Sequence, residues 1–152
     1  MPKFSTERHV RHSAARMFDL VADIGKYPEF LPMCEKLNVR GSSGSVGHEI
    51  LVADMTIAYA SIVRETVTTK VTLDRPALAI RSDYLDGPFH HLVSDWRFVA
   101  EGEGACLVRF DIDYEFKSRM LTMVMGTMFD GIFRQFAEAF EKRADAIYGA
   151  AA

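Results

Sequence analysis

At 152 residues the chain has the length of one domain, and a hydrophobic content of 49% is ample for a sizeable core. Eighteen lysines and arginines against 21 aspartates and glutamates leave a net charge of -3, which removes any general attraction to nucleic acid and gives no reason to expect DNA as a partner. The two cysteines, Cys34 and Cys106, have neither metal-site nor redox-pair spacing, so buried reduced thiols are expected.

The first residues carry no apolar run behind their charges, so no secretory signal is expected. Phe4, Thr6, Arg8 and Val10 alternate with Ser5, Glu7, His9 and Arg11, the pattern of a first strand. Ser13 is a suitable N-cap for a helix over residues 14–24. Met17, Leu20, Val21 and Ile24 form one apolar stripe along it, and Gly25 ends it. Tyr27-Pro28-Glu29-Phe30-Leu31-Pro32 follows, and its two prolines predict a short rigid turn or a single helical turn.

Residues 34–116 have β texture. Residues 37–40 lead into a turn at Gly41-Ser42-Ser43-Gly44. The β-rich runs 47–60, 61–73, 77–84, 89–99 and 105–116 are separated by turn or breaker residues, as in an antiparallel meander of five or six strands. From Ser118 to Tyr148 the residues Leu121, Met125, Phe129, Ile132, Phe136, Phe140, Ala144 and Ile147 recur at intervals of four or three. One helix on the order of 45 Å long is predicted there. Its apolar stripe must be covered, and the sheet is the one large partner available. The expected fold is therefore α+β in the helix-grip arrangement, a curved antiparallel sheet wrapped around a C-terminal helix with a cavity between them.

No nucleophile, metal or phosphate-binding motif accompanies this pattern, with GxSxG, HExxH, GxGxxG and GxxxxGK[ST] all absent, so enzymatic activity is not expected and no cofactor or metal is implied. His90 and His91 alternate faces on a strand and cannot converge on one metal. Asp54, inside an apolar run, is read as the solvent face of a strand. The unusual segment is residues 120–133. There Met120, Leu121, Met123, Val124, Met125, Met128, Phe129, Ile132 and Phe133 cover far more than the stripe of about 100° that a helix resting on a sheet needs. Four of the eight methionines lie in it, and Gly126 and Gly131 each weaken the helix by roughly 1 kcal/mol relative to alanine. Such a segment suits a gate over an apolar cavity or a membrane contact; loops or a second copy of the chain are the alternative cover. Polar residues interrupt it well short of the roughly 18 uninterrupted apolar residues of a spanning helix, so a cytoplasmic protein with at most peripheral contact at the inner face of the membrane is expected.

Four spaced segments carry a family resemblance. Tyr27–Cys34 resembles the YPxFLPxC signature of the coenzyme Q-binding protein family within the START-like superfamily, whose bacterial members are often labelled polyketide cyclase/dehydrase or ribosome association toxin. Ala53-Asp54-Met55-Thr56-Ile57 resembles its A-[DE]-L-x-[VI] strand, and Asp86-Gly87-Pro88-Phe89 with Leu92, Trp96 and Phe98 its DGPFxxLxxxWxF block. Residues 110–118 leading into 136–143 resemble its FxIxFEFxS…FxxAFExRA close. Ala58-Tyr59 stands where many members have Gly-Phe and Met33 where Trp is common, positions expected to touch the cavity region.

The resemblance implies a START-like (Bet v-like) lipid-binding domain over residues 1–149, with 150–152 a short tail. It implies non-enzymatic binding of ubiquinone or another isoprenoid lipid, supporting ubiquinone synthesis or respiratory electron transport. Tyr27, Phe30, Leu31 and Phe89 are expected at the cavity mouth, and polar groups there to orient a quinone head. Trp96, Phe98, Phe110, Ile112 and Tyr114 line or fill the interior, while Leu121, Met125, Met128, Phe129, Ile132 and Phe133 form the gate. The ribosome-linked labels imply an alternative, a factor bound to a ribosomal subunit through Lys3, Arg8, Arg11 and Arg16. Polyketide aromatase or cyclase activity is a third reading with no acid–base pair behind it.

Overall fold

The computed structural model describes residues 3–45, 47–59, 63–125 and 129–149. Along them run β1 (Lys3–Val10), α1 (Ala14–Ala22), a 3-10 helix (Ile24–Glu29), β2 (Cys34–Ser45), β3 (His48–Tyr59), β4 (Val63–Asp74), β5 (Ala79–Asp86), β6 (Phe89–Ala100), β7 (Cys106–Phe116), α2 (Arg119–Met125) and α3 (Phe129–Tyr148). The strands form one seven-stranded sheet ordered β1-β7-β6-β5-β4-β3-β2. Every neighbouring pair is antiparallel. Strands β2 to β7 follow one another as a meander, so α1 and the 3-10 helix carry the chain from the β1 edge to the β2 edge.

The predicted alternation holds along β7, where Cys106, Val108, Phe110, Ile112, Tyr114 and Phe116 are buried. Arg109, Asp111 and Asp113 take the intervening positions on the outer face. Ser13 caps α1 as expected, its Oγ accepting the Arg16 N–H at 3.2 Å. The helix stops at Ala22, two residues short of the prediction, and Ile24 enters the 3-10 helix that contains Pro28.

One sequence expectation needs correction. The run Gly41–Gly44 is not a turn, because β2 continues through it and pairs with residues 48–52 of β3. An irregularity between Val39 and Gly41 absorbs one residue of register, and small residues suffice because this edge strand is exposed. Gly44 has φ +99°, and a Cβ there would stand 2.1 Å from the His48 carbonyl oxygen. The predicted C-terminal helix spans residues 118–148. The described residues of that stretch form two helical segments, α2 and α3, and residues 126–128 fall outside the described set. Ile132, Ala137, Phe140 and Ala144 bury one face of α3, whereas Ile147, placed in the predicted stripe, is 50% exposed. Among the described residues no helix is long and apolar enough to cross a membrane.

Polar ties fix α3 to the start of the chain. Arg8 of β1 donates from Nε and Nη2 to Glu141 Oε1 at 3.0 and 2.7 Å. The buried His12 Nε2 lies 2.6 Å from Asp145 Oδ1, and Arg143 donates to Glu29 of the 3-10 helix at 3.0 Å. On the opposite side α1 packs on the sheet through Phe18, which is 1% exposed, meets Phe98 edge-to-face at 6.1 Å and carries the Arg75 guanidinium 4.8 Å over its ring. Phe18→Ala is expected to cost about 3–5 kcal/mol in urea unfolding, against about 0.5 kcal/mol or less for Val39→Ala on the exposed edge strand.

Candidate ligand cavity

The concave face of the sheet is unevenly filled. Over β6, β7 and β1, large rings crowd together. Trp96 lies 4.4 Å from Phe110 and 5.2 Å from Phe140 (ring centroids), and Phe4 lies 5.7 Å from Phe133. Over β3 to β5 the inward positions carry smaller side chains, among them Ala53, Val67, Val71 and Ser82. A cavity of about 150 Å³, partly open to the surface, remains between this region and α3.

Alternate residues of each strand make the floor: Leu37 of β2; Ala53, Met55 and Ile57 of β3; Val67, Thr69 and Val71 of β4; Ile80 and Ser82 of β5; Leu92, Ser94 and Trp96 of β6; Phe110 and Ile112 of β7. Phe133, Phe136 and Phe140 of α3 make the roof, and Ile24, Tyr27, Leu31 and Phe89 close the sides. Tyr27 is anchored by its hydroxyl, which donates to the Val21 carbonyl, and its ring meets Phe140 edge-to-face at 5.2 Å. Phe89 is placed by the β5–β6 hairpin. Tyr84 Oη accepts the Phe89 N–H at 3.0 Å, and Gly87 has φ +141°, with any Cβ 2.9 Å from the Thr66 carbonyl oxygen. This accounts physically for the Asp86-Gly87-Pro88-Phe89 segment.

Five of the predicted site residues therefore meet at the cavity: Tyr27, Leu31, Phe89, Trp96 and Phe133. Phe30 does not line it; it packs on Phe140 at 5.3 Å beneath the Arg143 guanidinium. Ile132 is 3% exposed but sits in the packed core away from the lining. The side chains of Leu121, Met125 and Phe129 lie outside what is described, as does all of Met128. Met33 and Ala58 are not lining residues either. The sequence reading missed the floor from β2 to β5, and period-two alternation in those runs was the signal that could have found it.

Electrostatically the wall is nearly neutral. Tyr27 carries the one ionisable side chain among the described lining residues, and burial, with Cys34 and Asp23 adding to it, pushes its hydroxyl well above the usual phenol range. The arrangement offers apolar surface and three hydroxyls, Thr69, Ser82 and Ser94, without a facing acid–base pair. Asp54 lies outside, accepting from Thr68 Oγ1 at 2.5 Å and paired with Arg40 at 2.9 Å. His91 is 3.0 Å from Asp113, while His90 is exposed. Among the described residues no group of three or more His, Cys, Asp or Glu could hold a metal ion.

A curved antiparallel sheet, a C-terminal helix across its concave face and an apolar hollow between them define the helix-grip architecture of the START-like superfamily. The family model for polyketide cyclase / dehydrase and lipid transport matches residues 10–141, and the chain belongs to that family. Ribosome association toxin RatA of Vibrio cholerae is 36% identical over 149 residues, 98% of this chain and 99% of the relative. The mitochondrial coenzyme Q-binding protein COQ10 homolog B of Xenopus laevis is 29% identical over 151 residues, 97% of this chain but 59% of the relative. A START superfamily protein from Mycobacterium smegmatis shares the fold at a TM-score of 0.81 with 19% identity, covering 95% of this chain and 98% of its own. Both branches named by the motif resemblance are thus among the relatives.

Cys34 and Cys106 are buried free thiols outside the cavity lining. Burial pushes each from the ordinary 9.0 up to about 11, with Glu101 adding to Cys106. Neither is expected to react with a disulfide reagent at about pH 8 until denaturant is added, whereupon both react. The folded state holds these protons more tightly than the unfolded chain, so their contribution to stability falls as pH rises from 9.0 towards about 11. Urea titrations across that range check the sign.

Proposed function

We propose that residues 1–149 act as one non-enzymatic binding domain for a polyprenyl quinone of the ubiquinone type, supporting its synthesis or its use in respiratory electron transport. The observation that carries this is the apolar cavity under α3, whose polar lining is confined to hydroxyls. The apolar surface of a quinone ring and the tail carbons next to it gains about 25 cal/mol for each Å² withdrawn from water, so a largely apolar wall holds them without special chemistry. The relative named for coenzyme Q binding adds a ligand whose ring and tail match such a wall. A volume of about 150 Å³ suits one ring of roughly benzene size, leaving most of a long tail beyond the cavity. Met120 and Met123 of α2 are 72% and 83% exposed and support peripheral contact with the membrane's inner face, from which a cytoplasmic carrier would collect such a tail. The lack of a facing acid–base pair in the described lining speaks against cyclase or aromatase chemistry.

Trp96 is the chain's one tryptophan and lines the cavity, so its fluorescence reports occupancy. Titration with decylubiquinone is expected to quench it saturably. Ala53→Phe, which fills the floor, is expected to weaken binding by about tenfold or more while leaving the fold intact, since the void accepts the added volume. No quenching in the native protein, together with no quinone in lipid extracted from it, would remove this reading.

A second reading is favoured by a specific surface feature. Arg11, His12, Ser13, Arg16, Glu103 and Tyr148 line a polar cavity beside the start of α1. Of the four basic residues expected to meet a ribosomal subunit, Lys3 and Arg8 are paired with Asp113 and Glu141, whereas Arg11 and Arg16 have no carboxylate partner among the described residues. Under this reading the chain co-sediments with ribosomal subunits at moderate salt, and Arg11→Glu/Arg16→Glu abolishes it; equal sedimentation of both proteins would count against it.

A further inference from the structure

Ser82 and Ser94 interrupt the apolar floor at its middle. They lie on adjacent strands directly opposite each other, and Ser82 also faces Val71 of β4, two residues from Thr69. All three side chains line the cavity, and Ser94 is only 7% exposed. None of the three hydroxyls hydrogen-bonds to another group among the described residues. The contrast within the same sheet is Thr56 and Thr66, an opposed pair whose hydroxyls bond each other at 3.0 Å. Ser82 and Ser94 have the same cross-strand placement and do not.

Hydroxyls that face an apolar hollow have no protein partner there, and an occupant that displaces water from them must supply a polar atom or leave them unpaired at a cost. Alanine or valine would suit a floor that served packing alone. Three unpaired hydroxyls clustered on adjacent strands therefore point to a polar atom on the occupant.

We infer that Thr69, Ser82 and Ser94 form an oxygen-recognition subsite on the cavity floor. This rests on the reading that the cavity takes a polyprenyl quinone, and it assigns the end that enters. Serine and threonine hydroxyls both donate and accept, so the cluster donates to a ring carbonyl of the quinone and accepts from a ring hydroxyl of the quinol. Either redox form is held. The ring lies on the sheet beside Trp96, two residues from Ser94 on β6, and the apolar tail leaves the cavity. The head-group contacts are thus on the floor and not on the entrance loops, where the sequence reading expected them.

The test compares decylubiquinone with decylbenzene, which keeps a ring and the tail but has no oxygens, by calorimetric titration of the full chain and of Ser82→Ala/Ser94→Ala. The native protein is expected to prefer decylubiquinone. The double variant is expected to lose about tenfold or more for decylubiquinone and to bind decylbenzene unchanged, with Thr69→Val adding a smaller loss of the same kind. Removing unpaired hydroxyls leaves the ligand-free melting temperature equal or higher, whereas a structural role for the serines lowers it. Equal losses for both probes, no loss for either, or a native preference for decylbenzene overturns the subsite while leaving an apolar cavity in place. Binding of neither probe by the native protein fails the quinone reading itself, and the subsite with it.

Discussion

The structure depends on how one flat-sided helix face meets one strongly curved sheet. A helix can approach a concave sheet closely along only one line, and side chains must span the gap elsewhere. Here Phe133 and Phe140 span it towards Phe110 and Trp96, where rings on both layers interlock. Towards β3 and β4 the floor carries Ala53, Val67 and Val71, too short to reach back. The hollow follows from the distribution of side-chain length across the sheet. Close packing is the default in protein interiors, so a void with small residues in part of its floor and seven aromatic side chains around the rest is a property specified by sequence.

Such a void weakens the layer that covers it, which makes the polar ties of α3 important. Arg8–Glu141, His12–Asp145 and Arg143–Glu29 join its second half to β1, to the loop after it and to the 3-10 helix. The two arginine pairs are partly exposed, so neither contributes much alone, while His12 is the buried member of its pair. Together they fix the helix axis over the sheet without filling the space beneath it. The roof is held from its sides and by the C-terminal part of α3, leaving Phe133 and Phe136 to face the cavity.

Much of this was legible in the sequence, because the period-two and period-four patterns report which face is buried and here they were strong. Phe110, Ile112 and Tyr114 alternate in residues 106–116, and Phe136, Phe140 and Ala144 recur in α3; both patterns led to the right architecture. What failed had local physical causes. Gly41-Ser42-Ser43-Gly44 has turn composition, yet an edge strand with nothing packed on it tolerates that composition. Phe30 and Tyr27 share one rigid segment, but the 3-10 geometry sends Tyr27 to the cavity and Phe30 to Phe140 and Arg143. Ser82 and Ser94 were invisible as site residues because a serine in a strand means little until the register shows it facing another serine across a hollow.

The two roles named among the relatives, coenzyme Q binding and ribosome association, make different demands, and two separate hollows lie in this fold. Among the described residues the apolar cavity and the polar one beside α1 share no lining residue. One is a neutral interior closed by aromatic rings, and the other is an exterior hollow flanked by Arg11 and Arg16. The element that reaches both is α3. Its first half roofs the apolar cavity through Phe133 and Phe136, and its end carries Asp145, which binds His12, and Tyr148, whose hydroxyl donates to the Arg16 carbonyl at 3.2 Å. One helix thus lines the apolar cavity at one end and is hydrogen-bonded beside the polar cavity at the other.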